Sequence, residues 1–585
     1  MTGLHHTQAG RRRPGVPALL RAAGLASALA LAASGALAAD PAAKDAAAQK
    51  AKSPVASYLS GRMAQGAGDW GTAARHLTEA LKADPGNVQL IRRTFLLQLG
   101  AGRYGEAIEL ARRLDQGGAE SYLAGSLLVA DAVKRGQAAE AAERLAKLPS
   151  DGLGQYISPL LTAWTRMAAG DRAGALAALE ALDKAPGFAA LRALQAGLVE
   201  DVGGNEAGAR DWYAKAVEGG APLRLTLLVG NFHARAGRAG EARAVYEAFL
   251  ADNPGNASVE AALAELKSGA KPARLVADAR DGLAEALFDV AGALHQENAS
   301  EMALLYGRVS LHLRGDQPMA RMMVADVLAN RNRPDEALAE YRAITADPGL
   351  MWTVRLRQVD VLRRTDRAEE AAKLLEAMAA ERPDRTDALV RLGDLRRGAA
   401  KHEAALAAYD RALQRVKAPR AVDWPLFYAR AMALDELGRW PQAEADLMKA
   451  LELNPDQPHL LNYLGYSWVD RNQNLDRAKA MIEKAVSLRP NDGYIMDSLG
   501  WAKFRMGDVE GAMQTLEKAV QLKPLDPTIN DHLGDVYWAA GRHKEARFQW
   551  SRAAQHAQEA ALKSAVEEKL RREVPARKTA LHDGE

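Results

Sequence analysis

Leu464-Gly465…Ala478…Ala485…Pro490 is followed by Leu499-Gly500…Ala512…Ala519…Pro524 and then by Leu533-Gly534…Tyr537…Ala546…Trp550…Ala553. The glycines stand 35 and 34 residues apart. Counted along each repeat, a small residue recurs at the eighth, twentieth and twenty-seventh places, and Pro closes the first two copies. This pattern predicts two antiparallel helices per repeat. The eighth place lies mid-way along the first helix and the twentieth faces it from the second, so Gly500 and Ala512 are expected to oppose each other. Small residues there let the axes approach to the near end of about 8–10 Å. The twenty-seventh place packs on the next repeat, and Pro ends the second helix. One repeat cannot bury its own apolar face; stacking buries it.

That period and those restricted places are the tetratricopeptide signature. Further copies lie upstream, at Gly61/Ala73/Ala80/Pro85, Gly197/Ala209/Tyr213, Gly230/Ala242/Tyr246, Ala325/Ala337/Tyr341, Gly393/Ala405/Tyr409 and Ala431/Ala443/Ala450. Weaker copies centre on Ala107, Ala141, Ala175 and Ala303. The expectation is an all-α fold, a right-handed superhelical solenoid of about fourteen such repeats. Composition agrees: hydrophobic residues make up 48% of the chain and aromatics 5%, with no alternating strand pattern.

The first forty residues read as a targeting segment. Arg11-Arg12-Arg13 precede an apolar run from Val16 to Leu37, interrupted by Arg21, and Ala36-Leu37-Ala38 offers a small-residue cleavage site. This predicts a secretory signal at 1–38; a retained anchor is the other reading. Pro14-Gly15 after the arginines speak against twin-arginine export. Residues 1–38 hold four Arg and no acid, so the remainder carries −1 where the whole chain carries +3. That balance gives no reason to expect nucleic acid as a partner. No further stretch has the apolar length of a membrane span. Cysteine is absent, which excludes disulfides, a thiol nucleophile, cysteine metal sites and lipidation on Cys.

Catalytic signatures are missing: no G-x-S-x-G, no phosphate-binding Gly-Lys-Ser/Thr loop, no His-Glu-x-x-His. His402-Glu403 continues into Ala404-Ala405-Leu406 without a second His. The twelve histidines, His532, His543 and His556 among them, read as surface or turn residues. Met319, Met322 and Met323 read as core filling before a binding patch. No cofactor or metal is expected, and no enzyme.

The register sets the organisation: a linker at 39–56, an N-terminal arm at 57–254, a joint at 255–282 and a C-terminal arm at 283–555. A capping helix at 556–574 and a tail at 575–585 complete the chain. The joint is marked by Ser268-Gly269-Ala270-Lys271-Pro272. The second, fifth, ninth and twelfth places of each first helix should line a concave face. In the last repeats these are Tyr428; Asn462 and Tyr466; Tyr494, Asp497, Trp501 and Phe504; Asp531, Asp535 and Trp538. Rings edged by Asn and Asp suit an extended or helical peptide, with Trp501 and Trp538 as anchors. Trp468 and Trp550 fall at core places. The Lys/Arg clamp for a peptide carboxylate is missing.

Leu461-Asn462-Tyr463-Leu464-Gly465-Tyr466, Asp497-Ser498-Leu499-Gly500-Trp501-Ala502 and Asn530-Asp531-His532-Leu533-Gly534-Asp535-Val536-Tyr537-Trp538 carry a resemblance. The last third resembles proteobacterial periplasmic tetratricopeptide proteins of the cell envelope. Some are similar to outer-membrane lipoproteins that act as adaptors for a carboxyl-terminal processing protease. The resemblance implies a non-enzymatic periplasmic scaffold or adaptor whose partners are proteins or peptides, an envelope protease among them. A scaffold for exopolysaccharide or envelope assembly and a non-catalytic subunit of an envelope enzyme complex are the other readings. This chain departs from the lipoproteins in lacking the lipidation Cys.

Overall fold

The computed structural model describes residues 53–119, 121–149, 151–184, 187–345 and 348–572. The expected signal, most of the expected linker and the expected tail lie outside them. The linker ends earlier than 56, because helix Pro54–Gly66 begins inside it, with Pro at its first turn where the missing N–H costs nothing.

Among the described residues are thirty α-helices, two short 3-10 segments and no strand. In chain order the α-helices make fourteen pairs, with Ala257–Lys267 and Ala560–Leu570 left single. The weak copies are real repeats: Ala107, Ala141, Ala175 and Ala303 each sit on a second helix and are fully buried. Local chemistry sets the helix ends. Asp508 accepts from the Gly511 N–H at 2.8 Å, and Asp526 from the Thr528 and Ile529 N–H groups, which would otherwise be unpaired. The turn inside a pair needs a left-handed residue, supplied by Gly507 (φ 89°) and Gly541 (φ 76°).

The glycine of the repeat meets a different partner from the one expected. A methyl on Gly500 would sit 2.5 Å from Leu516 Cγ, one helical turn beyond Ala512. The same relation joins Gly465 to Ile482, Gly534 to Trp550, Gly230 to Tyr246 and Gly393 to Tyr409. Each glycine is thus a hole that receives a bulky knob from the second helix. The alanine is small because the backbones pass closely there, and the knob four residues on fills the space the glycine leaves.

The chain divides into two compact units, one ending at Leu374 and one beginning at Leu375. The break in register at 255–282 lies inside the earlier unit. There the single helix Ala257–Lys267 packs on Ala239–Asp252 and on Pro348–Arg364. The next pair, Ala279–Gln296 and Ser300–Leu313, turns back onto earlier first helices. Ala279–Gln296 packs on Gly154–Ala168 and Ala189–Val202, and Ser300–Leu313 on Val88–Gly100 and Tyr122–Lys134. Leu283, Ala284, Leu287 and Ala291 are fully buried in that contact, and Gly282 lies against the Trp164 ring. Polar groups are matched across it. Arg224 forks onto Glu285 at 2.8 and 2.6 Å, Gln195 joins Trp164 to Asp289 at 2.8 Å each, and His312 meets Asp131 at 3.1 Å. The first-helix face of repeats 88–202 is therefore filled by the chain's own helices. Of the methionines, Met319 is buried, and Met322 and Met323 are half-buried.

Candidate peptide-binding face

In the later unit the first helices Trp424–Glu436, Pro458–Asp470, Gly493–Arg505 and Pro527–Ala539 present the residues that the register singled out. The structure divides those ten into two sets. Asn462, Tyr466, Tyr494, Phe504 and Trp538 are half-buried, with part of each side chain in solvent. Tyr466 packs at the edge of the cluster around Trp468, Trp538 at the edge of the cluster around Trp550, and Phe504 at the edge of both. Tyr494 lies under the Lys523 ammonium, 5.2 Å from its ring centre. Burial, followed by the Asp526 charge, raises the Tyr494 phenol above its ordinary pKa.

The other five are structural. Tyr428 is buried edge-on to Tyr463, ring centres 5.6 Å apart. Asp497, 1% exposed, accepts from His532 at 2.9 Å. Trp501, 5% exposed, stacks on that imidazole at 4.2 Å. Asp531 and Asp535 both receive the Lys569 ammonium, at 2.6 and 2.7 Å. Asp535 also accepts from the Trp550 indole at 3.2 Å. Three expectations are corrected by this. Trp501 is an inter-repeat core residue, not an exposed anchor. The aspartates are not free to orient a ligand, because neighbouring repeats already use them. His532 is neither a surface nor a turn residue; it is the rung between two repeats. Trp468 and Trp550 are buried as the register required, with the Trp468 indole on Glu444.

The ladder continues upstream. Asp435 accepts from Tyr463 at 3.0 Å and pairs with Arg471, while Arg430 holds Asp446 and Asp410. For Asp435 and Asp497 the signal in the sequence is an acid on one first helix followed, near one period later, by a donor on or at the end of the next. Lys569 belongs to helix Ala560–Leu570, which packs on His543–His556. The cap expected at 556–574 is shorter than that, since His556 ends the preceding helix. Burial and the nearby Asp535 charge raise the Asp531 carboxyl pKa, and Lys569 opposes that rise.

Among the described residues no group of three or more His, Cys, Asp or Glu could hold a metal ion. Among them, too, no helix is long and apolar enough to cross a membrane.

The tetratricopeptide-repeat family model matches residues 58–121, 428–493, 469–527 and 498–561. Those stretches are tetratricopeptide repeats. The matched stretches include every half-buried ring of the face. A TPR repeat-containing protein of Pseudomonas aeruginosa, PA4667, is 33% identical over 178 residues. The match covers 30% of this chain and 29% of that relative's length. Among solved structures, the thermophilic TPR protein TTC0263 of Thermus thermophilus is 21% identical, covering 32% of this chain and 99% of its own, with a TM-score of 0.28. Yeast Tom70 is 12% identical, covering 88% and 94%, with a TM-score of 0.33.

Proposed function

We propose that this chain is a non-enzymatic scaffold that holds a segment of another protein along the first-helix face of its later unit. The observation that carries the reading is the run Tyr466, Phe504 and Trp538. These are rings on successive repeats, partly exposed, in a chain with only 5% aromatics. Partly exposed rings on rigid helices give apolar anchor area at small entropic cost. The filled face of the earlier unit and the saturated aspartates leave this row as the open surface of the kind peptides use. On the same reading the chain is exported through residues 1–38 and works in the periplasm, where an envelope protease and its substrates are the partners to test first.

A photo-crosslinking side chain placed at Tyr466 or Trp538, in cells, tests this. Crosslinks to the same envelope proteins from both positions, lost on Phe504→Ala, are expected. Crosslinks that appear equally from a position on a second helix would dismiss the face. N-terminal sequencing of the cell-derived chain should find a start near Ala39; a retained Met1 in the cytosol would overturn the export reading.

A further inference from the structure

The earlier unit holds a stretch of its own chain in the manner of a bound peptide. Between helices Ala257–Lys267 and Ala279–Gln296, residues 270–277 have neither helix nor strand. Their backbone is gripped by side chains of other elements. Asn231 donates from Nδ2 to the Ala273 carbonyl at 2.9 Å. Arg314 donates to the Leu275 carbonyl at 2.5 Å. The two gripped carbonyls, of Ala273 and Leu275, are two residues apart.

Asn231 occupies the ninth place of its repeat, one of the places that lines the ligand face. It is itself held by Arg235 Nε at 2.9 Å, and Arg235 pairs with Asp201. Asp201, the twelfth place of the preceding repeat, also takes Arg274 of the segment at 3.5 Å. Val276 is buried, whereas Ala273, Arg274 and Ala277 stay exposed. Alongside runs an open cleft of ≈ 540 Å³ between Phe232, Glu206 and Pro272, so the segment is seated on one side only.

We propose that Asn231, Asp201 and Arg314 form a second peptide site, occupied at rest by residues 270–277. The external ligand it fits is a non-helical peptide with Arg followed, two residues later, by a β-branched apolar side chain. Two contacts read backbone and accept any sequence; Asp201 and the Val276 socket supply the selectivity. Because the internal segment is tethered at both ends, it acts as a competitor at an effective concentration of order millimolar, and an incoming peptide must displace it. The site does not depend on the aromatic face of the later unit, so either can fail alone.

The test uses the full chain with residues 270–277 replaced by Gly and Ser at equal length. The probe is a fluorescein-labelled peptide copying residues 269–278, read by anisotropy. The replaced chain should bind the probe at least tenfold more tightly than the wild type, as relief of a tethered competitor requires. Adding Asn231→Ala to it should weaken binding about fivefold to tenfold, the loss of one hydrogen bond. A replaced chain with wild-type circular dichroism that ignores the probe, or binds it regardless of Asn231, overturns the proposal. If the replaced chain does not fold, trypsin decides. Cutting at Arg274–Leu275 should be slow in the wild type and about fivefold or more faster in Asn231→Ala, by the same hydrogen-bond loss. Equal rates overturn the proposal.

Discussion

Trp501 and His532 lie face to face with planes 16° apart, and the imidazole is held at Nδ1 by the buried Asp497. Such a ring cannot leave without opening a void between two repeats. Trp501→Ala should therefore cost about 3–5 kcal/mol of stability, as for other buried aromatic truncations. Tyr466→Ala, at the cluster edge, should cost about 1 kcal/mol, the centre of the range for ordinary substitutions. Urea midpoints measure both. A Trp501→Ala chain as stable as the wild type would return that residue to the list of exposed anchors. A second expectation concerns Asp289, beside Glu285 in the earlier unit. Burial, then the Glu285 charge, pushes its carboxyl pKa up to about 8. The unfolded value is about 3.9, so between these limits the folded state holds a proton that the unfolded state lacks. Stability from this group is full below the unfolded value, falls as pH rises towards about 8, and is level beyond. Melting of the wild type should drop between pH 5 and pH 8 relative to Asp289→Asn. Parallel curves for the two chains would contradict the assignment.

At the scale of the element, the hole-and-knob pair is the unit of packing. Gly500→Ala puts a carbon 2.5 Å from Leu516 Cγ, against a side chain that is itself fully buried. The two helices must part, at about 1–3 kcal/mol by the usual cost of overpacking. Leu516→Ala in the same chain should recover part of that loss, because the smaller knob leaves room for the methyl. A double-mutant cycle by thermal melting checks the coupling; strict additivity would mean the two residues do not meet. Gly86 is a control, since a side chain there would meet nothing within 4 Å. The ladder of acids and donors acts at this scale as well. Lys569 ties the single C-terminal helix to Asp531 and Asp535, so that helix is fastened by charge as well as by Val566 and its neighbours.

For the whole molecule, stacked repeats couple mainly to their neighbours, and the chain divides into two compact units at 374/375. Two calorimetric transitions are expected, with Asp289→Asn moving one and Gly500→Ala moving the other. A single transition displaced by both variants would show the units to be one cooperative body. The earlier unit has the greater reason to melt as a block, since its helices Ala279–Gln296 and Ser300–Leu313 touch repeats far back along the chain. Such contacts break the nearest-neighbour rule that governs an open array of repeats.

About fourteen helix pairs were legible in the sequence, though not their caps or individual helix ends. Helix pairing in this family is local, and a Gly or Ala at a fixed offset is a steric requirement that no tertiary context removes. The aromatic row was legible in part: Tyr466, Phe504 and Trp538 hold the positions that the register assigned. Trp501, Asp497, Asp531 and Asp535 were legible as positions but not as roles. A place on a first helix says which way a side chain leaves the backbone, not whether the next repeat already holds a partner for it. His532 and Lys569, one period and more downstream, decided that. Nor could any local pattern show the pair 279–313 entering the earlier unit, or Asn231 closing on Ala273. Those contacts join residues 42 to 208 positions apart, and sequence periodicity carries no information about chain return over such lengths. The sequence by itself determined the repeat and the face each residue belongs to; the tertiary structure alone decided which faces the chain keeps for itself, because only in three dimensions do distant donors reach the acceptors that the register leaves unpaired.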